Sequence, residues 1–592
     1  MYKFILGLIL LAIPFIFLSL FENKKRGFVY VLFSIFLFLA GLSFFTQLFS
    51  IFYYWLIIAV IVLADIILLF FYYKNSKKLI FSFKNIDWVL IFIIFVSAFT
   101  LYHIHYNYTG KINLATDQTV SYHEVKNMEY VYPYFSDEWY AVSLVKSSID
   151  SRSLPLKNLD NTFFHNLEVF FHSFMAGVML VLNLDPLTQY AALSLAMNVL
   201  MICLAYIFLR INNVSKLLSG IASSSILYIT CGANFPGLWH FIPMSLGVIF
   251  CLMGFCFISL DALIMSGLAL LMVLLFYPPL AIFYGLGFLI FLLQKFYKDK
   301  KKAFKNIGYS LMCLAFGLPV LFLILMISPF SFVANVIISK FYYLSFSGFN
   351  IPQYAFYNII PPAVSLAGFL GLPFIFKNKK WLFWQIMLCL LFWFFYSLSA
   401  YRVVIEYERA VFFASILICL ASGFGLDALE SYFIKKIKNI KPFLKYAEIG
   451  MLVLFLALAP FYTQRSNWQK LVLINSATGA VSVPKSPANN YLTEEDVEIF
   501  KDIKNQKFLS IPWKGTVIGV ATDNYPVITK EGTISLGKES DAFAFLTANC
   551  LEKTKFIEDN PISYVYMYDF DCPGFEKINE SKEGFVLFKV IK

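Results

Sequence analysis

The segment FVYVLFSIFLFLAGLSFFTQ, residues 28–47, contains no charged side chain and closely follows the basic run Lys24-Lys25-Arg26. A helix of about twenty apolar residues is long enough to cross a hydrocarbon core of roughly 30 Å. Similar uncharged runs recur along most of the chain. We therefore predict an α-helical polytopic membrane protein.

The composition excludes a soluble enzyme. Of the 592 residues, 60% are hydrophobic and only 14% are charged, whereas soluble domains carry about 25% charged side chains. The 68 Phe and 36 Tyr residues exclude disordered, collagen-like and coiled-coil chains, because aromatic side chains in unbroken apolar runs require burial. No nucleic-acid-binding motif is present, and the net charge of +11 has an explanation in membrane topology.

Hydropathy predicts about fourteen spans. They lie near residues 3–21, 28–47, 51–73, 88–105, 187–209, 217–231, 240–261, 263–277, 279–294, 306–329, 357–376, 381–399, 409–430 and 446–463. The pair at 263–294 is interrupted by Tyr277-Pro278-Pro279. It therefore forms either two spans or one kinked span with a re-entrant segment.

Clusters of Lys and Arg all fall on one side of this arrangement, at 24–26, 74–84, 210–216, 295–305, 377–380 and 435–441. Because cytoplasmic loops are enriched in Lys and Arg, we predict that this side is cytoplasmic. Both termini, the long loop 106–186 and the hydrophilic tail then lie outside the cytoplasm. The first helix lacks a small-residue cleavage site, so we interpret it as a retained span.

The chain is predicted to have three parts: accessory transmembrane helices at 1–87, a transmembrane core at 88–463 and an extracytoplasmic α/β domain at 464–592. In the tail, Thr493-Glu494-Glu495-Asp496 is typical of a helix start. The segments that favour β-structure are 507–513, 516–521, 562–568 and 585–591.

Two of the nine cysteines, Cys550 and Cys572, lie in this tail. An oxidising compartment outside the cytoplasm would allow them to form a disulfide. The other cysteines lie in or beside apolar spans, where cysteine is usually a small hydrophobic residue. The sequence has no CxxC or HExxH pattern, so a structural zinc site is not expected.

An acidic motif lies in the first long outer loop: Tyr134-Phe135-Ser136-Asp137-Glu138-Trp139-Tyr140. Adjacent residues point about 100° apart on a helix, so at most one of the two acids faces a common site. The alternative interpretation is a helix start, because acidic residues in a first turn complement the helix dipole without any catalytic role.

From Asp137 onward the chain resembles the GT-C glycosyltransferases, membrane enzymes that take a sugar from a polyprenyl-phosphate donor and carry an acidic motif in this loop. The resemblance rests on the two acids, on Ser153-Leu154-Pro155, on an amphipathic stretch at 165–182, on the span count and on the outer tail. It covers roughly residues 88–463 and extends to the tail. The tail lacks the Trp-Trp-Asp signature of oligosaccharyltransferases, so protein N-glycosylation is not expected.

The resemblance implies an inverting transfer from a polyprenyl-(di)phosphate carrier to an envelope glycan, lipid or protein. The Lys-, Ile-, Phe- and Asn-rich composition and the retained first helix suggest a bacterial plasma membrane. By this resemblance Asp137 is the general base, or helps to hold a divalent ion, and Glu138 is its neighbour. A positioned base is worth about 10²–10⁴-fold in rate. The leaving phosphate needs a cation or a metal beside it.

Three cations are candidates for binding the donor phosphate: Arg409 first, Arg402 second, and Lys340 in the loop near 330–356. On a helix, Arg402, Glu406 and Arg409 would share one face. The same spacing is equally typical of a salt-bridge ladder.

His165 and His172 are seven residues apart and would share one face of a helix. Together with Asp137 they are candidates for metal or acceptor contacts, with Mg²⁺ or Mn²⁺ as the cofactor, although such ligands do not specify one metal.

Two other functions fit the same composition. A lipid or glycan transporter or flippase also needs many spans, but transporters often show internal repeats and midplane charges, which we do not find here. A non-catalytic glycan-binding scaffold would keep the fold without the chemistry.

Overall fold

A computed structural model describes residues 2–20, 24–75, 87–115, 120–157, 166–229, 237–238, 240–298, 300–327, 351–352, 359–399, 405, 407–437, 439–466, 473–474, 481–482, 491–529, 537 and 539–591. Their contacts form two compact units. The helical unit comprises Met1–Leu42, Trp55–His105 and Ala192–Lys485. The loop-and-tail unit comprises Ser43–Tyr54, Tyr106–Ala191 and Ser486–Lys592.

Each predicted span coincides with a helix. The helices before the tail are α1 (Tyr2–Ala12), continued by a 3₁₀ helix (Ile13–Leu20), α2 (Lys24–Leu48), α3 (Tyr54–Asn75), α4 (Trp88–Tyr106), α5 (Ser136–Ser151), α6 (Val169–Leu182), α7 (Pro186–Ile211), α8 (Lys216–Ser224), continued by a 3₁₀ helix (Ser225–Tyr228), α9 (Pro243–Ser259), α10 (Leu263–Phe276), α11 (Pro278–Lys298), α12 (Lys300–Ile327), α13 (Pro362–Asn378), α14 (Lys380–Ser399), α15 (Tyr407–Lys436) and α16 (Ile440–Ser466).

The fold is that of an α-helical polytopic membrane protein. Within the described residues, seven helices are long and apolar enough to cross a membrane, and several shorter apolar helices accompany them. Helix α10 ends at Phe276 and α11 begins at Pro278, so this pair is two helices rather than one kinked span. Proline suits the first turn of a helix because the N–H it lacks would have no partner there.

The core of the helical unit is built around α15, whose segment from Ala410 to Leu420 is buried on all sides. Helices α13 and α15 approach closely where glycines face each other. A Cβ added at Gly425 would lie 2.2 Å from the Ala367 carbonyl oxygen, and one at Gly371 would lie 2.3 Å from the Ala421 carbonyl oxygen. Small residues at such crossings allow helix backbones to pack directly against each other in membranes.

Short strands complete the helical unit, and a longer hairpin lies in the other unit. Strands β3 (Ile351–Pro352), β4 (Leu473–Ile474) and β5 (Val481–Ser482) form a three-stranded antiparallel sheet. In the loop-and-tail unit, β1 (Tyr108–Ala115) and β2 (Val120–Met128) form an antiparallel hairpin.

The tail is a small α/β domain. Its elements are α17 (Glu494–Ile499), β6 (Lys507–Ser510), α18 (Pro512–Thr522), β7 (Tyr525–Pro526), α19 (Glu539–Thr547), α20 (Cys550–Asp559), β8 (Tyr564–Tyr568), β9 (Phe575–Glu580) and β10 (Phe585–Val590). The sheet order is β7-β6-β8-β10-β9, with β6 parallel to β7 and β8 and the other pairs antiparallel. Cys550 and Cys572 form the predicted disulfide, which is confirmed.

Two details of the tail differ from the sequence prediction. Residues 516–521, predicted as β-rich, lie in helix α18. Pro512 at its first turn favours a helix start, and Val517, Ile518 and Val520 are fully buried there, so tertiary packing overrides their β propensity. Strand β9 was missed because nearly all its residues are exposed.

The loop-and-tail unit joins the long loop at 106–186 to the tail. Lys146 on α5 forms an ion pair with Asp523 at 2.5 Å and donates to the Val520 carbonyl at 3.3 Å. The Tyr130 and Tyr491 rings stack with centroids 5.1 Å apart. The Leu492 N–H donates to the Tyr130 hydroxyl at 3.0 Å. The acidic motif is therefore held by a helix that packs on the tail domain.

Candidate active site

Asp137 and Glu138 lie in the first turn of α5. This helix follows Phe135, whose backbone is extended (φ −109°, ψ 144°) and provides no side-chain cap. The Glu138 and Trp139 N–H groups donate to the Phe135 carbonyl at 3.1 and 3.0 Å. First-turn N–H groups carry partial positive charge, which stabilises carboxylates at this position. The helix-start interpretation therefore describes the local structure correctly.

The two acids occupy different environments, as expected for adjacent helical residues. Glu138 is 1% exposed, whereas Asp137 is exposed. An acceptor hydroxyl arriving from water can therefore reach Asp137 more readily than Glu138. The geometry leaves Asp137 as the accessible candidate base and places Glu138 among the buried residues of the unit.

Two tyrosines and a third acid surround this helix start. Tyr190, which is fully buried, interacts electrostatically with Glu138, Glu168 and Asp137. Burial first, and then the Glu168 and Asp137 carboxylates, raise the pKa of Tyr140 well above its usual value. Tyr140 is therefore a neutral phenol at physiological pH, able to donate a hydrogen bond.

Sequence reasoning missed Glu168, Tyr140 and Tyr190 as members of this group. Glu168 had a recognisable signal, because it is the only charged residue between His165 and Leu182. The tyrosines had none among 36 in the chain.

His172 is enclosed by the protein. It is 1% exposed, its Nδ1 lies 3.1 Å from Nδ2 of Asn166, and its ring meets the Tyr140 ring edge-on at 5.5 Å. The Asn166 amide also donates to the Pro155 carbonyl at 2.9 Å. Burial lowers the pKa of His172 to about 3, so the imidazole is neutral at physiological pH. In this arrangement Nδ1 accepts the hydrogen bond from the Asn166 amide.

Helix α6 itself corrects one expectation. The stretch at 165–182 was described as amphipathic, but almost every residue of α6 is buried. The helix is apolar on all faces because it lies inside the loop-and-tail unit. His165, proposed to share a face with His172, lies outside the described residues.

A divalent cation was expected to bind Asp137 together with His165 or His172. The oxygen atoms of Asp137 and Glu138 suit Mg²⁺ or Mn²⁺ chemically. Among the described residues, however, no three His, Cys, Asp or Glu side chains are grouped to hold a metal ion. His165 lies outside these residues, so the divalent cation stays a prediction.

The candidate phosphate-binding arginine lies in the helical unit. Arg409 is in the first turn of α15, and its Nη1 donates to the Tyr277 hydroxyl at 3.0 Å. The centre of the guanidinium lies 5.7 Å from the centroid of the Tyr277 ring. His240, only 5% exposed, lies within electrostatic range of this arginine. A guanidinium oriented by a phenol is suited to bidentate recognition of phosphate oxygens.

Tyr277 was missed as a site residue although its motif was noticed. It lies between α10 and α11, where the Tyr-Pro-Pro sequence separates the two helices. The other cations proposed for the phosphate, Arg402 and Lys340, lie outside the described residues, as does Glu406. Both the phosphate clamp and the salt-bridge ladder stay predictions. Asp137 and Arg409 belong to different units.

No family model and no curated protein matches the chain. It is similar to several solved structures. One is the apo oligosaccharyltransferase of Archaeoglobus fulgidus, at 12% identity and a TM-score of 0.45, covering 82% of this chain and 70% of that one. A structure of that enzyme with Zn and sulfate has 12% identity and a TM-score of 0.43, covering 84% and 73%.

ArnT from Cupriavidus metallidurans, solved with undecaprenyl phosphate, is similar at 9% identity and a TM-score of 0.48, covering 84% of this chain and 97% of that one. The likeness concerns architecture and assigns no role to any residue of this chain.

Proposed function

We propose that the protein is an inverting glycosyltransferase that moves a hexose or pentose from a polyprenyl-phosphate or polyprenyl-diphosphate carrier to a glycan, lipid or protein of the cell envelope. Its active site would lie at the extracytoplasmic face of a bacterial plasma membrane. The observation that supports this most is the exposed Asp137 carboxylate, held at a helix start beside buried Glu138 and the neutral phenol of Tyr140.

In the proposed reaction, Asp137 removes the proton from an acceptor hydroxyl. The acceptor oxygen forms a bond to the anomeric carbon from the face opposite the phosphate. The bond between that carbon and the phosphate oxygen breaks, and the polyprenyl phosphate or diphosphate leaves with its negative charge. The anomeric configuration is inverted. Tyr140 keeps its proton throughout, so it serves as a hydrogen-bond donor and does not compete with Asp137 as a base.

Arg409 is proposed to hold the phosphate of the carrier. The Tyr277 hydroxyl and ring orient the guanidinium. A planar fork of N–H donors matches two phosphate oxygens and stabilises the charge that develops on the leaving group.

We expect Arg409→Lys to lower kcat/KM for the donor by about 10–100-fold, because lysine keeps the charge but loses bidentate geometry and charged hydrogen bonds worth about 1.5–3 kcal/mol. Steady-state kinetics with purified enzyme and varied donor would measure this. Tyr277→Phe is the matched variant: it keeps the ring and the cation, and should lower kcat/KM less. A normal kcat/KM for Arg409→Lys would contradict the assignment.

The function itself is tested by incubating the full-length protein with a radiolabelled polyprenyl-phosphate sugar and a membrane extract as acceptor. A glycosyltransferase releases free polyprenyl phosphate and incorporates the label into an extract component. A transporter would move the donor between leaflets without cleaving it, and a scaffold would bind it unchanged. Either of these two results would replace the proposal.

A further inference from the structure

A cavity of about 510 Å³ lies within the helical unit, lined by residues of α2, α4, α7 and α8. Apolar side chains such as Phe28, Ile94, Val199 and Leu200 form most of its wall, and its charged lining residues are Lys25, Asp87 and Lys216. Small-molecule sites typically measure roughly 300–1,000 Å³ and combine apolar walls with a few polar groups. The proposed transfer reaction does not use any of these residues.

The charged residues collect at one end of the cavity. Helix α2 begins at Lys24, α4 begins at Trp88, α7 ends at Ile211 and α8 begins at Lys216. One end of these helices therefore carries Lys25, Asp87 and Lys216. It is the end at which the clusters of Lys and Arg lie. The apolar wall continues along α7 from Ile207 to Ala196, a distance of about 16 Å at the rise of an α-helix.

Positive charge is in excess at this end. Lys25 lies 3.3 Å from the Asp87 carboxylate, which also accepts a hydrogen bond from the Tyr206 hydroxyl at 2.9 Å. Lys25 interacts electrostatically with both Arg210 and Lys216. Among the residues that the structure describes, Asp87 and Asp427 are the carboxylates that interact electrostatically with one of these three cations. Three cations and two carboxylates leave a net positive charge.

Two of the cations, Lys25 and Lys216, line the cavity. Lys216 is exposed and forms no ion pair with any residue that the structure describes. The buried Nε of Arg210 has no hydrogen-bond partner within the described chain, although its Nη1 donates to the Val214 carbonyl. Arg210 does not line the cavity, so it contributes positive charge near the ligand without contacting it.

We propose that this cavity binds an anionic phospholipid, with the phosphate at Lys25 and Lys216 and an acyl chain along the apolar wall of α7. Basic pockets between membrane helices are suited to lipid head groups. The apolar wall offers the acyl chain an environment as favourable as the lipid bilayer, and the cations neutralise the phosphate. By the positive-inside prediction the lipid belongs to the cytoplasmic leaflet.

The test uses full-length protein in nanodiscs or detergent, with phosphatidylglycerol and phosphatidylcholine as probes and native mass spectrometry to count retained lipids. We expect phosphatidylglycerol to be retained preferentially. Lys216→Gln should weaken its binding about fivefold, as expected for one cation at a membrane surface. Lys74→Gln is the matched control, because Lys74 is an exposed lysine at the end of α3 that does not line the cavity.

A second variant separates a lipid from a free phosphate. Ala196 is exposed and lines the cavity away from the cations. Ala196→Trp should therefore fill the space proposed for the acyl chain and leave the charged residues unchanged. We expect this variant to lose phosphatidylglycerol. Inorganic phosphate should not displace the lipid from the wild type. The proposal would be overturned if the two lipids were retained equally or if Lys216→Gln and Lys74→Gln had equal effects. It would also be overturned if Ala196→Trp bound phosphatidylglycerol as the wild type does, or if inorganic phosphate displaced the lipid.

Discussion

Asp137→Asn is expected to reduce sugar transfer by about 10²–10⁴-fold, the usual contribution of a positioned general base. Asparagine keeps the shape of the side chain but has no basic oxygen. Asp137 is exposed in the first turn of α5, where asparagine is tolerated, so the helix should stay intact. The measurement is the initial rate of polyprenyl phosphate release at saturating donor and acceptor, with purified full-length protein.

Asp150→Asn is the matched control. Asp150 is an exposed carboxylate on the same helix, in its last turn, and lies away from the acidic motif. This variant should transfer sugar at the wild-type rate. If Asp137→Asn also retains the wild-type rate, Asp137 is not the base, even where the protein proves to be a glycosyltransferase. Loss of folding is excluded by comparing the thermal unfolding of the two variants.

Lys514→Met is expected to have the largest effect on stability, lowering the free energy of unfolding of the tail by about 3–5 kcal/mol. The Lys514 ammonium lies 2.5 Å from Asp496 and 2.7 Å from Glu583, and the Tyr566 hydroxyl donates to Asp496 at 2.7 Å. Asp496 is fully buried. Removing the cation leaves its carboxylate buried without a counter-charge, which costs more than the pair itself contributes.

The pH dependence of this contribution follows from the direction of the pKa shift. Burial opposes the charge of Lys514, but the Asp496 and Glu583 carboxylates outweigh it and raise the pKa of the ammonium above its usual value. A raised pKa in the folded state means that the stabilisation is fully present below the unfolded pKa of about 10.4 and is lost as pH rises through the folded pKa. The variant should therefore be destabilised throughout the physiological range.

Pulse proteolysis of the full-length protein in detergent, followed through a C-terminal tag, measures the unfolding of the tail. Lys501→Met provides the control, because the Lys501–Glu498 pair is exposed, with 64% and 70% of the two side chains accessible. Exposed pairs contribute little, so this control should unfold like the wild type. Equal stability of Lys514→Met and the wild type would show that the buried network is not needed for the tail to fold.

The tail shows where sequence prediction failed and why. The helix start at Thr493 was predicted and is present, since Thr493 and Asp496 form a capping box through contacts three residues apart. The disulfide between Cys550 and Cys572 followed from their location in the tail. The helix at 512–522 was missed because Val517, Ile518 and Val520 favour strands unless surrounding residues bury them in a helix.

The candidate site shows the same limit. Asp137 and Arg409 were identifiable as candidates from the acidic motif of the long loop and from the arginines that precede a late apolar span. Their surroundings were not. Tyr190 interacts with the acidic motif in the folded chain, although the two are far apart in the sequence. Tyr277 contacts Arg409, from which it is separated by 132 positions. No local pattern encodes such pairs.

The amino-acid sequence by itself predicted the positions of the helices that coincide with apolar runs, and the cations predict their sidedness, which stays a prediction. These depend on local properties, namely the length of apolar runs and the location of cations, because lipid requires every backbone N–H to be satisfied within its own helix. Only the tertiary structure decided that the outer loop joins the tail, that Glu138 is buried while Asp137 is not, and which phenol orients Arg409. These depend on contacts between distant segments, whose energies exist only when the chain is folded.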